Sequence, residues 1–506
     1  MNDSPERPKR FLYWLLIAAG IAIAYAPLLM ARYGFGDDFI LLLSDQPDLA
    51  SAYLIDGRPL FALSQLLVHD PIESLWQLSL LRGLACVATI GCAIFFFEAT
   101  RPLGGTESQR ACLAVCLGLL PSLHTYVAQA NFWLATFAAL LTLAAMALMV
   151  RCTRPQPMAP GFRLSTWAFA QVLMLVTGAI YQPMLSWYWV GVFVMLLDPR
   201  FLTEDLFRKQ VYRVIVLGLL SFVLCFLAFK FYFVLFDSGM KERTQLTQNP
   251  LEKIYWYARI QLPLALNYWH LVGVSTRTIP LAIAAASAMV ILSGYLVECR
   301  RMIRRTRQSI KWVLAVRAGL LLGVGMLTHT HWLVIADCPQ SYRVIAPLGV
   351  TVFIAICWSV GQWLETISGE VRGQRIRGWL AAGLLFVVVI VCQLYSVKYW
   401  ILPHETAFRY LTASIRWKVT PQTERLHLIR QSRDDGFVKE MFIESHGSPV
   451  TEREWMVREF AAYALRESGV PHDIQRITHS GADAELPVGD NTVIIDMRDL
   501  VQFRSP

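Results

Sequence analysis

Two adjacent carboxylates are the residues of this chain best suited to chemistry. Asp37 and Asp38 lie in the stretch Tyr33–Phe39 (YGFGDDF), a few residues after the first long apolar run ends. A pair of acids placed where a membrane span emerges into water can accept a proton, hold a divalent cation or bind a polar head group. The alternative is an ordinary solvated loop, which rarely needs both acids.

Basic residues near the ends of apolar runs are the candidates for holding a phosphate. Arg343 stands at the mouth of a late run, Arg58 lies in the loop that carries the acids, and Arg82 and Lys230 lie near other span ends. A guanidinium matches phosphate geometry with paired donors, whereas long basic side chains near span ends also snorkel to the interface. For Arg343, a salt bridge to Asp337 is the competing interpretation.

Long apolar runs must position these residues. Of the chain, 55% is apolar and 16% is charged, and apolar runs of roughly 18 to 25 residues recur from end to end. We therefore predict an α-helical polytopic membrane protein with about 11 transmembrane helices. The predicted spans are 11–31, 75–97, 111–127, 132–150, 166–181, 184–197, 214–236, 276–297, 312–335, 344–364 and 379–401.

Lys and Arg concentrate in alternate connections, most strongly in the run 300–307 (RRMIRRTR). Short basic loops resist translocation, so these connections and the N-terminus are expected in the cytoplasm. An anionic-lipid or nucleic-acid patch is the other interpretation of this run, but its place beside a span favours topology, and we expect no nucleic-acid partner. An odd number of spans puts the C-terminus outside the inner (cytoplasmic) membrane, in the periplasm of a Gram-negative cell, on the side of Asp37 and Asp38.

The composition changes near residue 402. Residues 1–402 form the predicted membrane module, with outer loops at 32–74 and 237–275, and residues 403–506 form a predicted soluble periplasmic α+β domain. The tail holds 13 Lys and Arg against 16 Asp and Glu, so the formal charge of +9 comes from the membrane module. Within the tail we predict a helix at 451–469 and strands at 426–429, 438–443 and 491–497.

Three short elements carry a resemblance to a known class of enzyme. The Asp37-Asp38 pair after the first span, Asp56–Leu60 (DGRPL) and Asn131–Trp133 (NFW) resemble the GT-C fold of integral membrane glycosyltransferases. The last two elements are similar to those of bacterial enzymes that glucosylate O-antigen during serotype conversion. The resemblance covers residues 1–400 and implies transfer of one sugar from a polyprenyl-phosphate donor to a lipid-linked glycan or a glycoprotein outside the cytoplasm.

Such a transfer needs a base for the acceptor proton and cations for the leaving phosphate. We predict that Asp37 or Asp38 is the base, because repulsion between the two acids and partial desolvation raise a carboxyl pKa. The other acid would orient it, bind a sugar hydroxyl or help to hold Mg or Mn, and a metal-independent reaction stays open. The predicted donor-phosphate residues are Arg343, Arg58, Arg82 and Lys230, and the predicted sugar and acceptor residues are Asp56, Asn131, Trp133, Arg259 and His270.

Two other functions belong to different classes. A lipid-linked-sugar flippase or transporter would place charged groups through the centre of the bundle and would need no acids clustered in one outer loop. A membrane scaffold with an external binding domain explains the tail but not the first loop. His329 and His331 do not indicate a metal site, because residues two apart on a helix do not face each other.

Overall fold

The computed structural model describes residues 7–43, 46–69, 72–154, 159–236, 245–267, 278–306, 310–339, 342–432, 454–470, 474, 476–481, 491–498 and 500. Up to residue 236 the helices are α1 Arg7–Met30, α2 Asp37–Leu43, α3 Gln46–Ile55, α4 Pro59–His69, α5 Leu78–Ala99, α6 Glu107–Gly118, α7 Pro121–Ala128, α8 Trp133–Cys152, α9 Pro160–Tyr181, α10 Trp187–Leu197, α11 Arg200–Thr203 and α12 Asp205–Leu235. They are followed by α13 Pro250–Trp256, α14 Leu262–Leu266, α15 Thr278–Thr306, α16 Ile310–Leu327, α17 Thr330–Val334, α18 Ala346–Ser368, α19 Glu370–Tyr395, α20 Leu402–Lys418 and α21 Glu454–Ser468.

Short helices of other types connect several of these elements. Among the described residues, 3-10 helices cover Arg101–Leu103, Ala130–Phe132 and Gln182–Ser186, and π-helices cover Tyr257–Gln261 and Ser396–Ile401. The strands are β1 Arg425–Ile429, β2 Arg476–Ser480 and β3 Thr492–Asp496.

The helices confirm the prediction of a polytopic helical membrane protein. Within the described residues, nine helices are long and apolar enough to cross a membrane, or ten if α6 and α7, which meet at a bend of 58°, form one span. Pro121 at the start of α7 explains the bend, because proline removes a backbone donor and clashes with the preceding turn. The predicted span 312–335 is shorter in the structure, since α16 ends at Leu327 and α17 is a separate helix.

One of these nine helices, 161–197, contains a reversal of the chain. Side-chain contacts with α8 show it. The ring of Tyr181, at the end of α9, lies 5.9 Å from that of Phe132, just before α8. Gly191, ten residues later, packs tightly against Met146, which lies well inside α8. The chain therefore runs back along α8 after Tyr181, and α10 is a pass of its own.

Pro183 lies in the connection between these two passes, which were predicted at 166–181 and 184–197. If α6 and α7 form one pass and α9 and α10 form two, the described helices make 11 passes, which is the predicted number. The first outer loop and the C-terminal residues must then lie at the same end of the bundle, which their contacts bear out.

The C-terminal helices pack directly on the first outer loop. The amide of Leu75 donates to the hydroxyl of Tyr463 at 3.2 Å, and the ring of Phe39 lies 5.0 Å from that of Phe460. These residues belong to one buried apolar cluster that also contains Leu411 of α20. The tail therefore covers the loop that carries the acids.

A small parallel sheet completes the tail. Its strand order is β2-β1-β3, and Leu428 in the central strand pairs with His479 on one side and Ile495 on the other. Helix α21 and strand β3 lie within their predicted segments, and β1 begins one residue before the predicted strand 426–429. The predicted strand 438–443 falls outside the described residues. Helix α20 follows the π-helix Ser396–Ile401 without a break, so the boundary at 402/403 stays a prediction.

Candidate active site

Asp38 is a fully buried link between two segments of the outer face. Its side chain is 0% exposed. Oδ2 accepts the amide N–H of Phe35 at 3.0 Å, and Oδ1 accepts the amide N–H of Asn131 at 3.0 Å. The carboxylate therefore fastens the start of α2 to the 3-10 helix Ala130–Phe132.

Arg82 supplies the compensating charge from α5. Its guanidinium lies 3.5 Å from Asp38 Oδ2, and both side chains are 0% exposed. Nε donates to the carbonyl of Ala128 at 3.2 Å, Nη2 donates to the carbonyl of Tyr33, and Cζ lies 3.8 Å from the centre of the Tyr33 ring. Arg82 thus holds the buried end of the first loop, and its contact with a donor phosphate stays a prediction.

The environment of Asp38 differs from that of an accessible base. A general base must reach the hydroxyl of its acceptor, whereas both oxygens of Asp38 face backbone amides and a guanidinium. Asp37 is the first residue of α2, and its side chain lies outside the described residues. Which acid acts as base therefore stays a prediction.

A divalent metal does not fit Asp38. Mg and Mn prefer several oxygen ligands with free lone pairs, and here amide donors and the Arg82 cation occupy the carboxylate. Among the described side chains, no group of three or more His, Cys, Asp or Glu residues could hold a metal ion. A role for Asp37 in metal binding remains a prediction.

Two arginines flank a pair of aromatic rings beside this link. Cζ of Arg343 lies 4.7 Å from the centre of the Phe132 ring, and Cζ of Arg58 lies 4.9 Å from the centre of the Tyr181 ring. The two rings are 5.9 Å apart. An aromatic face holds a guanidinium in place without neutralising its charge.

Both guanidinium groups keep unused binding capacity. Within the described part of the chain, neither Arg58 nor Arg343 forms an ion pair, and the Nε of each is buried without a hydrogen-bond partner. The predicted alternative for Arg343, a salt bridge to Asp337, is absent between these two described residues. A charge at the edge of the membrane needs an anion to compensate it, so both arginines are suited to a phosphate.

A cavity of about 390 Å³ opens beside Arg58. One wall is a stripe of phenylalanines on α12, Phe222, Phe226, Phe229 and Phe233, whose spacing of four, three and four residues places them on one helix face. The polar residues of the cavity are Asp56, Arg58, Gln182, Lys230, Thr330 and His331. An apolar channel with cations at one end suits a long hydrocarbon chain that carries a phosphate.

The Gly-Arg-Pro element builds the polar end of this cavity. Gly57 has φ +71°, and a Cβ there would lie 2.8 Å from the ring of Phe233, so both backbone conformation and space require glycine. The side chain of Gln182 donates to the carbonyl of Gly57 at 2.8 Å. Pro59 then starts α4. The turn therefore places Asp56 and Arg58 side by side in the cavity.

His331 lines the same end of the cavity, where its pKa is lowered. Burial, and secondly the positive charge of Arg58, lowers the pKa of His331 to about 3. A neutral imidazole can donate to or accept from a phosphate oxygen or a sugar hydroxyl. The sequence pattern gave no role to His331, because its surroundings come from Arg58, some 270 residues away in the chain.

The other predicted contacts are dispersed. Asn131 is buried, and its backbone amide donates to Asp38. Trp133 packs on Phe137 with the ring centres 6.1 Å apart. Arg259 lies on the π-helix, where Nη1 donates to the Tyr255 hydroxyl at 2.5 Å, and it does not line the cavity. His270 lies outside the described residues. Of the predicted sugar and acceptor residues, the structure thus brings only Asp56 to the cavity among those it describes.

Sequence reasoning missed the aromatic framework of the site. Tyr181 and Gln182 link Arg58 to the cavity, and the phenylalanine stripe forms its wall. The stripe could have been found from the sequence, since its spacing follows the helical repeat. The partners of Tyr181, Phe132 and Arg58, could not, because they come from two separate segments of the chain.

Comparison with known proteins gives only loose similarities. No protein-family model and no curated protein matches the chain. Among solved structures it is similar to the apo oligosaccharyltransferase of Archaeoglobus fulgidus, with 11% identity and a TM-score of 0.41 over 91% of this chain and 69% of that one. It is also similar to ArnT from Cupriavidus metallidurans bound to undecaprenyl phosphate, with 11% identity and a TM-score of 0.39 over 89% of this chain and 84% of that one. Both TM-scores lie below 0.5, so we argue function from the residues of the site.

Proposed function

We propose that this protein is a membrane glycosyltransferase that transfers a single sugar from a polyprenyl-phosphate donor to an acceptor on the outer face. The observation that carries the proposal is the cavity with a phenylalanine wall and cations at one end. A polyprenyl phosphate joins a long apolar chain to one anionic group. The chain matches the phenylalanine wall, and the anionic group matches the cationic end. The resemblance of the Gly-Arg-Pro and Asp-Asp elements to GT-C glycosyltransferases agrees with it.

The donor phosphate lies against Arg58 and Lys230 in this proposal. Both line the cavity together with neutral His331, which adds a hydrogen bond without adding charge. Arg343 approaches from the other side of the Phe132–Tyr181 ring pair. Fixed cations of this kind stabilise the charge that builds on the phosphate as the bond to the sugar breaks.

We assign the general base to Asp37 and a positioning role to Asp38. The carboxylate of Asp38 is committed to Arg82 and two amides, which fixes the start of α2 where Asp37 lies. Asp37 takes the proton from the acceptor hydroxyl while the oxygen of that hydroxyl bonds to the anomeric carbon of the sugar. The sugar–phosphate bond breaks at the same centre, and the phosphate leaves with the electron pair.

The basic connections set the orientation that we propose. Arg101, Arg154 and Arg372 follow α5, α8 and α18, and Arg301 lies in the last turns of α15. Each of these helices ends at the face opposite Asp38. The positive-inside rule makes that face cytoplasmic. The site, the first outer loop and the C-terminal sheet then lie on the periplasmic side of the inner membrane. The acceptor is a glycan or protein present there.

A transporter fits the charge distribution less well. Apart from the Arg82–Asp38 pair, one buried ion pair lies among the described helices. In it Arg317 Nη1 and Glu298 Oε2 are 2.6 Å apart, and Arg317 Nε also donates to the carbonyl of Leu196. Neither of these residues lines the cavity of about 390 Å³. Their pairing joins α15, α16 and α10, which suits a structural role.

Photo-crosslinking with a benzophenone-bearing polyprenyl phosphate tests the donor site. We expect labelling of α12 or α17 in the purified protein, and a fall of about tenfold in the affinity of labelling in Arg58→Gln, since a charge-assisted hydrogen bond contributes about 1.5–3 kcal/mol. Arg32→Gln is the matched control, because Arg32 also lies over an aromatic ring, that of Trp76 at 5.9 Å, but outside the cavity. Equal labelling of all three proteins would contradict the assignment.

A further inference from the structure

A second cavity lies at the end of the bundle opposite Asp38. Its volume is about 320 Å³, and it lies between α6, α18 and α19, beside the turn 100–105. Arg110 near the start of α6 and Arg377 near the start of α19 both line it. The far end of the α6–α7 unit reaches Ala128, which contacts Arg82 at the outer face. The polar ends of the two cavities, at Arg110 and at Arg58, therefore lie toward opposite ends of the bundle.

Hydrocarbon can enter this cavity from the side of the bundle. Its walls include Leu113, Leu117, Phe353 and Leu384, which give it an apolar interior. Leu380, which also lines it, is 52% exposed on the outer surface of α19. That surface faces the bilayer in a membrane-spanning helix, so the opening faces lipid.

The end of the cavity nearest the basic loops is polar, and some of its buried side-chain atoms lack a hydrogen-bond partner. Within the described residues, Arg110 Nε, Arg377 Nε and Gln362 Oε1 are buried and have no hydrogen-bond partner. Arg110 is only 7% exposed and Gln362 only 8%. Buried polar atoms without partners are costly, and costlier still at membrane depth. These three atoms can bind a ligand that has acceptors for the two arginines and a donor for the amide oxygen.

The charges around this end favour an anion. Glu365 is shared between Arg301 at 2.8 Å and Arg377 at 2.5 Å. Arg110 approaches its nearest carboxylate, that of Glu107, only to 3.8 Å, and Glu107 is 32% exposed to solvent. Glu98, Arg101 and Arg10 also act electrostatically on Arg110. Five arginines therefore face three carboxylates, which leaves uncompensated positive charge beside the apolar walls.

We propose that this cavity binds an anionic glycerophospholipid of the leaflet opposite the active site. One acyl chain lies between α6, α18 and α19, and the phosphodiester accepts hydrogen bonds from Arg110 and Arg377. A head-group hydroxyl donates to Gln362 Oε1. Phosphatidylglycerol supplies an acyl chain, an anionic phosphodiester and free hydroxyls in one molecule, so it is the chemical class that the site fits.

Native mass spectrometry of the delipidated full chain tests the site, with dioleoyl phosphatidylglycerol and dioleoyl phosphatidylcholine as probes. We expect one phosphatidylglycerol to be retained, with an affinity about tenfold above that of phosphatidylcholine. Arg110→Gln weakens its binding about fivefold, which is the contribution of one cation near a membrane surface. Arg208→Gln is the matched control, because Arg208 near the start of α12 pairs with Asp205 at 3.2 Å and lies outside the cavity.

A steric variant separates lipid binding from charge and guards against misfolding of the arginine variant. Ala114→Phe fills the cavity wall without changing any charge, and we expect it to abolish retention of phosphatidylglycerol. Excess inorganic phosphate should leave the lipid bound, since the acyl chain contributes to its affinity. Equal affinity for the two lipids, unchanged phosphatidylglycerol binding in both variants, or complete displacement by phosphate would each overturn the proposal.

Discussion

Replacing Asp38 by asparagine removes one charge from a fully buried ion pair. Arg82 would remain 0% exposed, with its guanidinium 3.5 Å from a neutral amide in place of a carboxylate. The new amide nitrogen would also face the N–H of Phe35 or Asn131, since each of those amides now donates to a carboxylate oxygen. Breaking one partner of a buried pair costs about 3–5 kcal/mol, because the other charge stays uncompensated.

The assay is thermal unfolding of the purified protein in detergent, followed by transfer activity at a temperature where every variant is folded. We expect Asp38→Asn to lower the free energy of unfolding by about 3–5 kcal/mol. The double variant Asp38→Asn with Arg82→Gln should recover more than half of that loss, because it also removes the orphaned charge. Asp37→Asn, the matched neighbour, should unfold like the wild type and lose transfer activity by about 100-fold or more.

Wild-type stability in Asp38→Asn together with lost activity would refute this reasoning. Asp38 would then act on the acceptor directly, and its buried contacts would be incidental. Retention of activity in Asp37→Asn would remove the assignment of the base in the same experiment.

Three further predictions concern the polar end of the donor cavity. Arg58→Gln should raise the KM for the polyprenyl donor about tenfold with a smaller effect on kcat, measured by initial rates, because a lost charge-assisted hydrogen bond to bound phosphate costs about 1.5 kcal/mol or more. Gly57→Ala should lower the free energy of unfolding by about 1–2 kcal/mol, because φ is +71° and the new Cβ meets Phe233, whereas Gly83→Ala in open space should not lower it. The pKa of His331 is about 3 in the folded protein and 6.5 in the unfolded protein. As the pH drops below 6.5, the unfolded state binds a proton that the folded state does not, so the free energy of unfolding falls. His331→Gln should flatten that slope by at most about 1.4 kcal/mol per pH unit in urea titrations between pH 4 and 6.5, and an unchanged slope would show that His331 titrates normally.

The sequence predicted the membrane architecture well, because hydropathy and loop charge act locally. Apolar runs have to match the bilayer thickness, and Pro183 marks the reversal between α9 and α10. The tail was harder, since the parallel pairing of β1 with β2 and β3 joins segments 50 or more residues apart and leaves no local signal.

The roles within the site depended on such distant contacts. Asp37 and Asp38 look equivalent in the sequence, and only Arg82 and the amide of Asn131, 44 and 93 residues away from Asp38, distinguish Asp38. Arg58 and Lys230 were predicted on charge and position, but their shared cavity requires the fold. The cost of burying a charge depends on its partners, which sequence spacing alone does not reveal.

Cryo-electron microscopy of the protein with a bound polyprenyl phosphate tests the donor site most directly. We expect the phosphate about 3 Å from the side-chain nitrogens of Arg58 and Lys230, with the isoprenoid chain along Phe222, Phe226 and Phe229 of α12. A lipid phosphate bound elsewhere, with the cavity beside Arg58 occupied by protein side chains or detergent alone, would contradict it.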